Sequence, residues 1–137
     1  MHYYALLSGM VVAFYVVSRF RKTRLENKKW AYPAFLATFP AYYWAFAIYA
    51  SDYDVLANEL LAGVGFFAIA FTAYKFNSFI GLVFLALGYM AHTVYDVIHN
   101  SLFYNPGAPE WWPEFCGSVD MVIGIYLMYL ASLVKKG

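Results

Sequence analysis

The feature that most constrains this chain is the spacing of its charges. Five long apolar runs are separated by short segments that hold most of the Asp, Glu, Lys and Arg. Each run is near the ~20 residues needed to cross ~30 Å of hydrocarbon. A spanning segment must satisfy its backbone polar groups internally, so runs of this kind form helices. The expected fold is therefore all-α: an integral membrane bundle of about five transmembrane helices. They are placed over residues 3–18, 31–50, 55–74, 79–98 and 115–134, in a single domain covering 1–137. Composition agrees, with 64% hydrophobic and only 12% charged residues. Soluble domains carry roughly 25% charged residues.

The basic residues give the bundle an expected orientation. Arg19, Arg21, Lys22, Arg24, Lys28 and Lys29 lie between the first two runs, Lys75 between the third and fourth, and Lys135 and Lys136 after the fifth. With five helices, all of them fall on one side, which the positive-inside rule makes cytoplasmic. The N-terminus, Asp52, Asp54, Glu110 and Glu114 fall on the other. The first run has no basic residues before it, so it is expected to stay as a spanning helix and not to be cleaved as a signal. This orientation places the C-terminus in the cytoplasm and suits a bacterial inner membrane. A net charge of +1 gives no reason to expect nucleic acid as a partner.

Acidic residues inside the apolar runs call for a different explanation. Glu59, Asp96 and Asp120 each sit in a spanning segment, where a charge costs roughly 2.5–3.5 kcal/mol on insertion scales. In the stretch HTVYDVIH, His92, Asp96 and His99 are spaced i, i+4 and i+7. On a helix these positions lie within about 60° of one another. Cys116 and Asp120 are also four apart. In the five-helix topology Glu59, His92, Asp96, His99, Cys116 and Asp120 all fall at one depth, near the non-cytoplasmic surface. Inward His and acidic residues on facing helices are how helical bundles hold metal ions. The expected ligands are His92, Asp96, His99 and Cys116, with Glu59 or Asp120 as general base. Mixed nitrogen, oxygen and sulfur donors suit Zn²⁺ best, with Fe or Cu as alternatives. The rival reading is a hydrogen-bonded network that only fixes helix register.

Three segments, ELLAG at 59–63, LGYMAHTVYDVIH at 87–99 and PEWWPEFCGSVD at 109–120, carry a resemblance. The chain resembles a group of small bacterial multi-helix membrane proteins of unknown function. The resemblance covers roughly residues 58–130 and implies only that the six polar residues belong together. Membrane desaturases need far more His than the three present. HExxH, GxSxG and Walker motifs are absent.

Three functions remain open at this stage. One is a metal-dependent hydrolase acting on a lipid or amphiphile. The second is a protein that binds a metal ion or protons without chemistry on a substrate. The third is an accessory subunit of a membrane complex, or a homo-oligomer, in which the polar cluster is a buried staple. Membrane lipid is an expected partner in all three. The loop NPGAPEWWPEFC reads either as an interfacial anchor or as a lid over the cluster.

Overall fold

The computed structural model describes residues 1–76 and 78–137. Five helices make up the fold: α1 (Tyr3–Lys22), α2 (Ala31–Tyr49), α3 (Tyr53–Lys75), α4 (Phe79–Leu102) and α5 (Trp112–Lys136). A 3₁₀ turn, Leu25–Asn27, joins α1 to α2. The described residues contain no strand. Four helices, α1, α3, α4 and α5, are long and apolar enough to cross a membrane. The Tyr, Trp and Pro residues of α2 lower its mean hydropathy, although it contains no Asp, Glu, Lys or Arg.

Several helices extend beyond the apolar runs. The last turn of α1 carries Arg19, Arg21 and Lys22, and that of α5 carries Lys135 and Lys136. Cations at a C-terminus complement the helix dipole. Helix α5 also starts three residues earlier than its apolar run, because Trp112–Pro113–Glu114 suits a first turn. Pro there has no hydrogen bond to lose, and Glu faces the positive end of the dipole. Asp52 caps α3, its Oδ1 accepting the Val55 N–H at 3.0 Å. Helix α2 runs through Pro40 without a break.

Helix α5 packs between α1 and α4; α4 also packs on α3, and α3 on α2. The polypeptide runs up and down, so the helix ends collect in two sets. At one end lie the basic segments, marked by the Tyr126 hydroxyl donating to Glu26 at 2.7 Å and Lys29 over the Tyr74 ring. All nine Lys and Arg side chains are solvent- or lipid-exposed. At the other end α2 meets the loop after α4. Gly107 sits against the Phe46 backbone carbonyl, where any Cβ would collide.

Small residues set the close helix packing. Ala5, Gly9, Ala13 and Val17 form the buried stripe of α1. On α5, Gly124 lets Ala86, Tyr89 and Met90 of α4 approach. The outward faces are apolar, with Val11, Phe14, Leu61, Val64, Ile80, Val94 and Ile125 among the exposed side chains. The interior holds Glu59, His92, Asp96, His99 and Asp120. Lipid accounts for such an arrangement, because a soluble bundle would reverse it.

Candidate metal centre

The polar residues of α4 continue a packing stripe. Leu85, Tyr89, His92, Asp96 and His99 are all buried, at alternating spacings of four and three. This is the periodicity that keeps one helix face against its neighbours. Leu85 and Tyr89 serve the apolar core; above them the same face becomes His, Asp and His. On α5 the buried stripe Cys116, Asp120, Ile123, Leu127 makes the same change in the opposite chain direction. The two polar segments therefore meet. From the helix ends, these residues lie roughly 4–15 Å down, at 1.5 Å per residue.

All six residues singled out from the sequence are buried, none more than 2% exposed. The structure sorts them into two groups. His92, Asp96, Cys116 and Asp120 form one, with one candidate ligand atom from each lying within 4.8 Å of the others. His92 Nδ1 is 2.8 Å from Asp120 Oδ2 and 3.4 Å from Asp96 Oδ2. Cys116 Sγ is 3.8 Å from Asp120 Oδ2. Asp120, expected as a base, stands among the potential ligands.

His99, expected as a ligand, joins the second group with Glu59. Its Nε2 is 2.7 Å from Glu59 Oε1. Asn105 Nδ2 donates to the same oxygen at 2.9 Å, and the Tyr95 hydroxyl donates to Glu59 Oε2 at 2.7 Å. Asn105 Nδ2 also reaches the Tyr43 carbonyl at 3.1 Å, and Asn105 Oδ1 accepts the Gly107 N–H at 3.2 Å. The loop after α4 is thus tied down over Glu59.

Tyr43 stands between the groups. Its hydroxyl donates to Asp96 Oδ1 at 2.7 Å, while its ring stacks on His99 with centroids 4.3 Å apart. Phe39, Phe66 and Tyr95 wall His92 with their rings. Neither Tyr43 nor Asn105 was among the site residues selected from the sequence. A signal for Tyr43 exists: Tyr32, Leu36, Phe39, Tyr43 and Ala47 follow one helical stripe on α2. Asn105 precedes Pro-Gly and reads as an ordinary turn residue. Only the fold brings it to Glu59.

The first group has the donor chemistry of a metal site. His92 Nε2, Asp96 Oδ2 and Asp120 Oδ1 are buried without a hydrogen-bond partner. The other such atoms, His2 Nδ1, Tyr32 Oη and Trp112 Nε1, belong to residues at helix ends and do not cluster with one another in sequence. Unpartnered polar atoms deep in a bundle are costly. Charge points the same way. Three carboxylates are buried with two imidazoles, and no Lys or Arg is buried with them. With all three ionised, negative charge is left over even if both imidazoles are protonated, and each carboxyl must then be protonated or meet a cation. Zn²⁺ at its usual bond lengths puts tetrahedral donors about 3.4–3.7 Å apart. Two of the separations, 3.4 and 3.8 Å, lie near that spacing, whereas the 2.8 Å between His92 Nδ1 and Asp120 Oδ2 is a hydrogen bond that a bound ion would replace.

Comparison with known protein families, curated proteins and solved structures gives no match to this chain. The resemblance drawn from the three motifs gains no support there, and the site stands on its own geometry.

Proposed function

We propose that this chain is a metal-binding integral membrane protein that crosses the bilayer five times. In this reading the N-terminus and the polar centre lie on the non-cytoplasmic side. The membrane is a bacterial plasma membrane, and the centre holds one transition-metal ion, with zinc preferred. The observation that carries it is the convergence of four buried candidate ligand atoms from two helices, one each from His92, Asp96, Cys116 and Asp120 and all within 4.8 Å of one another, with no buried Lys or Arg beside them. A divalent ion would satisfy those atoms and neutralise the surplus charge together. Thiolate and imidazole donors favour zinc over magnesium or calcium. The segregation of the basic residues at the far end supports the orientation, and the charge-free α2 supports the fifth span.

The test is the metal content of protein purified in mild detergent without a polyhistidine tag, read by elemental mass spectrometry. About one equivalent per chain is expected in the parent protein. His92→Ala and Cys116→Ser should each reduce it below a tenth. Metal-free parent protein from zinc-supplemented cells would overturn the reading, as would variants that retain the full equivalent.

A second reading, metal-dependent hydrolysis of an amphiphile, is favoured by one specific observation. A cleft reaching Asp96 shares Val97, Pro113 and Glu114 with an apolar groove of about 320 Å³ between α1, α4 and α5. An acyl chain suits the groove and its head the cleft. Catalytic zinc sites keep three protein ligands and one open position. His92, Asp96 and Cys116 would be the three, leaving the Asp120 carboxylate to take the proton from the attacking water. The ion supplies Lewis acidity and brings a bound water to a pKa of about 7. Glu59, already accepting from His99, Asn105 and Tyr95, is the poorer base. Asp120→Asn separates the two readings. Loss of the ion makes Asp120 a ligand of a closed, structural site; retention of the ion with loss of esterase activity makes it the base.

A further inference from the structure

The metal-binding reading leaves open how an ion reaches a centre so deeply buried. His92, Cys116 and Asp120 are at most 1% exposed and do not wall the cleft at the Glu110 and Glu114 end of the bundle. Asp96 does. It lines a cleft of about 230 Å³ at the end of the bundle remote from the basic segments, together with Met1, Val97, Asn100, Glu110, Pro113 and Glu114. Asp96 itself is only 1% exposed, and its Oδ2 has no hydrogen-bond partner. The cleft thus has two carboxylates near its mouth and a third, incompletely satisfied, at its inner wall. That third carboxylate is also a member of the His92–Asp96–Cys116–Asp120 group.

No Lys or Arg lines the cleft. The nearby imidazole of His2 has Nδ1 3.5 Å from Glu114 Oε1, and the His2 backbone N–H donates to that oxygen at 3.2 Å. Glu110 is exposed and has no hydrogen bond or ion pair among the described residues. Met1, 82% exposed, brings one α-amino group to the lining, against the three carboxylates of Asp96, Glu110 and Glu114. A cleft whose charges are mostly of one sign, with low-dielectric walls, concentrates ions of the opposite sign and raises their rate of entry. At the other end of the bundle the nine Lys and Arg side chains repel cations.

We infer that the centre is loaded with a divalent cation from the face that carries Glu110 and Glu114, through this cleft, with Asp96 as the inner ligand that receives the ion. The inference rests on the metal-binding reading. It adds a direction: the ion comes from the side opposite the basic segments, so delivery from the Lys- and Arg-bearing side is not needed. Glu110 and Glu114 act on the rate of capture, and His92, Asp96, Cys116 and Asp120 on the final affinity.

Cobalt is a suitable probe, because Co²⁺ bound to a thiolate absorbs in the near ultraviolet. Metal-stripped full-length protein in neutral detergent is mixed with Co²⁺ at low ionic strength and the band is followed in time. The double variant Glu110→Gln/Glu114→Gln should load at least fivefold more slowly than the parent and reach the same final absorbance. Added salt should shrink the difference, since exposed charges are screened over about 8–10 Å at 0.1–0.15 M. Asp54→Asn removes an exposed acid of α3 that does not line the cleft, and should load at the parent rate. In sealed vesicles, Co²⁺ added on the Glu110 face should load the centre, and Co²⁺ confined to the Lys and Arg face should not. Equal rates for parent and double variant, or equal loading from both faces, would overturn the inference. A parent protein that takes up no cobalt defeats the metal-binding reading itself, a separate outcome.

Discussion

Two groups of buried polar residues lie side by side in one end of this bundle, with Tyr43 between them. Around Glu59, each carboxylate oxygen has a partner: His99 and Asn105 on Oε1, Tyr95 on Oε2. Around His92, three polar atoms have none. The acidic and imidazole side chains of both groups are at most 2% exposed, so exposure to water does not separate them. What separates them is completeness. A buried polar network that is fully satisfied rigidifies a fold, and one that is partly satisfied costs stability unless something else completes it. The Glu59 group therefore reads as a staple holding α3, α4 and the following loop in register. The His92 group reads as a set of ligand atoms held for an ion.

The largest expected effect breaks the staple. Glu59→Ala leaves His99 Nε2 and the Tyr95 hydroxyl without their partner and Asn105 Nδ2 with the Tyr43 carbonyl alone. Removing one partner of a buried charged pair costs about 3–5 kcal/mol. Thermal unfolding in mild detergent should show a loss of that size, while the metal content of the folded fraction stays at the parent value. If the ion is lost as well, the two groups are one unit and the comparison fails.

The next effect removes the ion and not the protein. With free ion at 100 to 1,000 times its dissociation constant, a ligand of the native state contributes about 2.7–4.1 kcal/mol. A strong chelator should lower the parent's unfolding temperature accordingly. The same chelator should leave His92→Ala unmoved. A parent protein indifferent to chelation would make the His92 group a second staple.

The sequence displayed these groups unequally. The bundle was legible because apolar run length and the sidedness of Lys and Arg are long-range patterns that survive without a structure. The stripe of His92, Asp96 and His99 was legible because helical periodicity fixes which residues share a face. The division of labour was not. His99 and His92 lie on the same stripe, yet His99 is two turns nearer the helix end, where Glu59 of α3 and Asn105 of the loop meet it. Asp120 and Glu59 look alike as intramembrane acids, and only the facing helix decides that one meets His92 and the other His99. Helix pairing and rotation set those contacts, and one chain's periodicity does not encode them. The helix ends were hidden for a simpler reason: charged or polar last turns, such as Arg19 to Lys22, are helical without being apolar.

A smaller effect tests the tyrosine between the groups. Tyr43→Phe keeps the ring stacked on His99 and deletes only the hydroxyl that donates to Asp96 Oδ1. Loss of a hydrogen bond that orients a metal ligand typically costs 10–100-fold in affinity. That corresponds to about 1.4–2.7 kcal/mol. Competition against a chromophoric chelator would measure it. An unchanged affinity would place Tyr43 with the staple alone.

The smallest effect has the most informative sign. In metal-free protein, Asp96 brings a carboxylate close to Asp120, with one imidazole between them and no buried Lys or Arg. Asp96→Asn removes one of those carboxylates. The amide oxygen still accepts from the Tyr43 hydroxyl, and the amide N–H₂ supplies a donor where an acceptor had no partner. Metal-free Asp96→Asn should therefore match the parent or exceed it in stability by about 1 kcal/mol, since an incompletely paired buried charge is a cost. Glu59→Gln, the same change in the satisfied group, should be destabilising, because it replaces an acceptor that already has donors on both oxygens. Opposite signs for two like substitutions, measured by thermal unfolding in the same chelator-containing buffer, are what a held ligand set and a structural staple require. Equal losses in both would mean that Asp96 is satisfied without an ion, and the case for a metal centre would lose its main physical support.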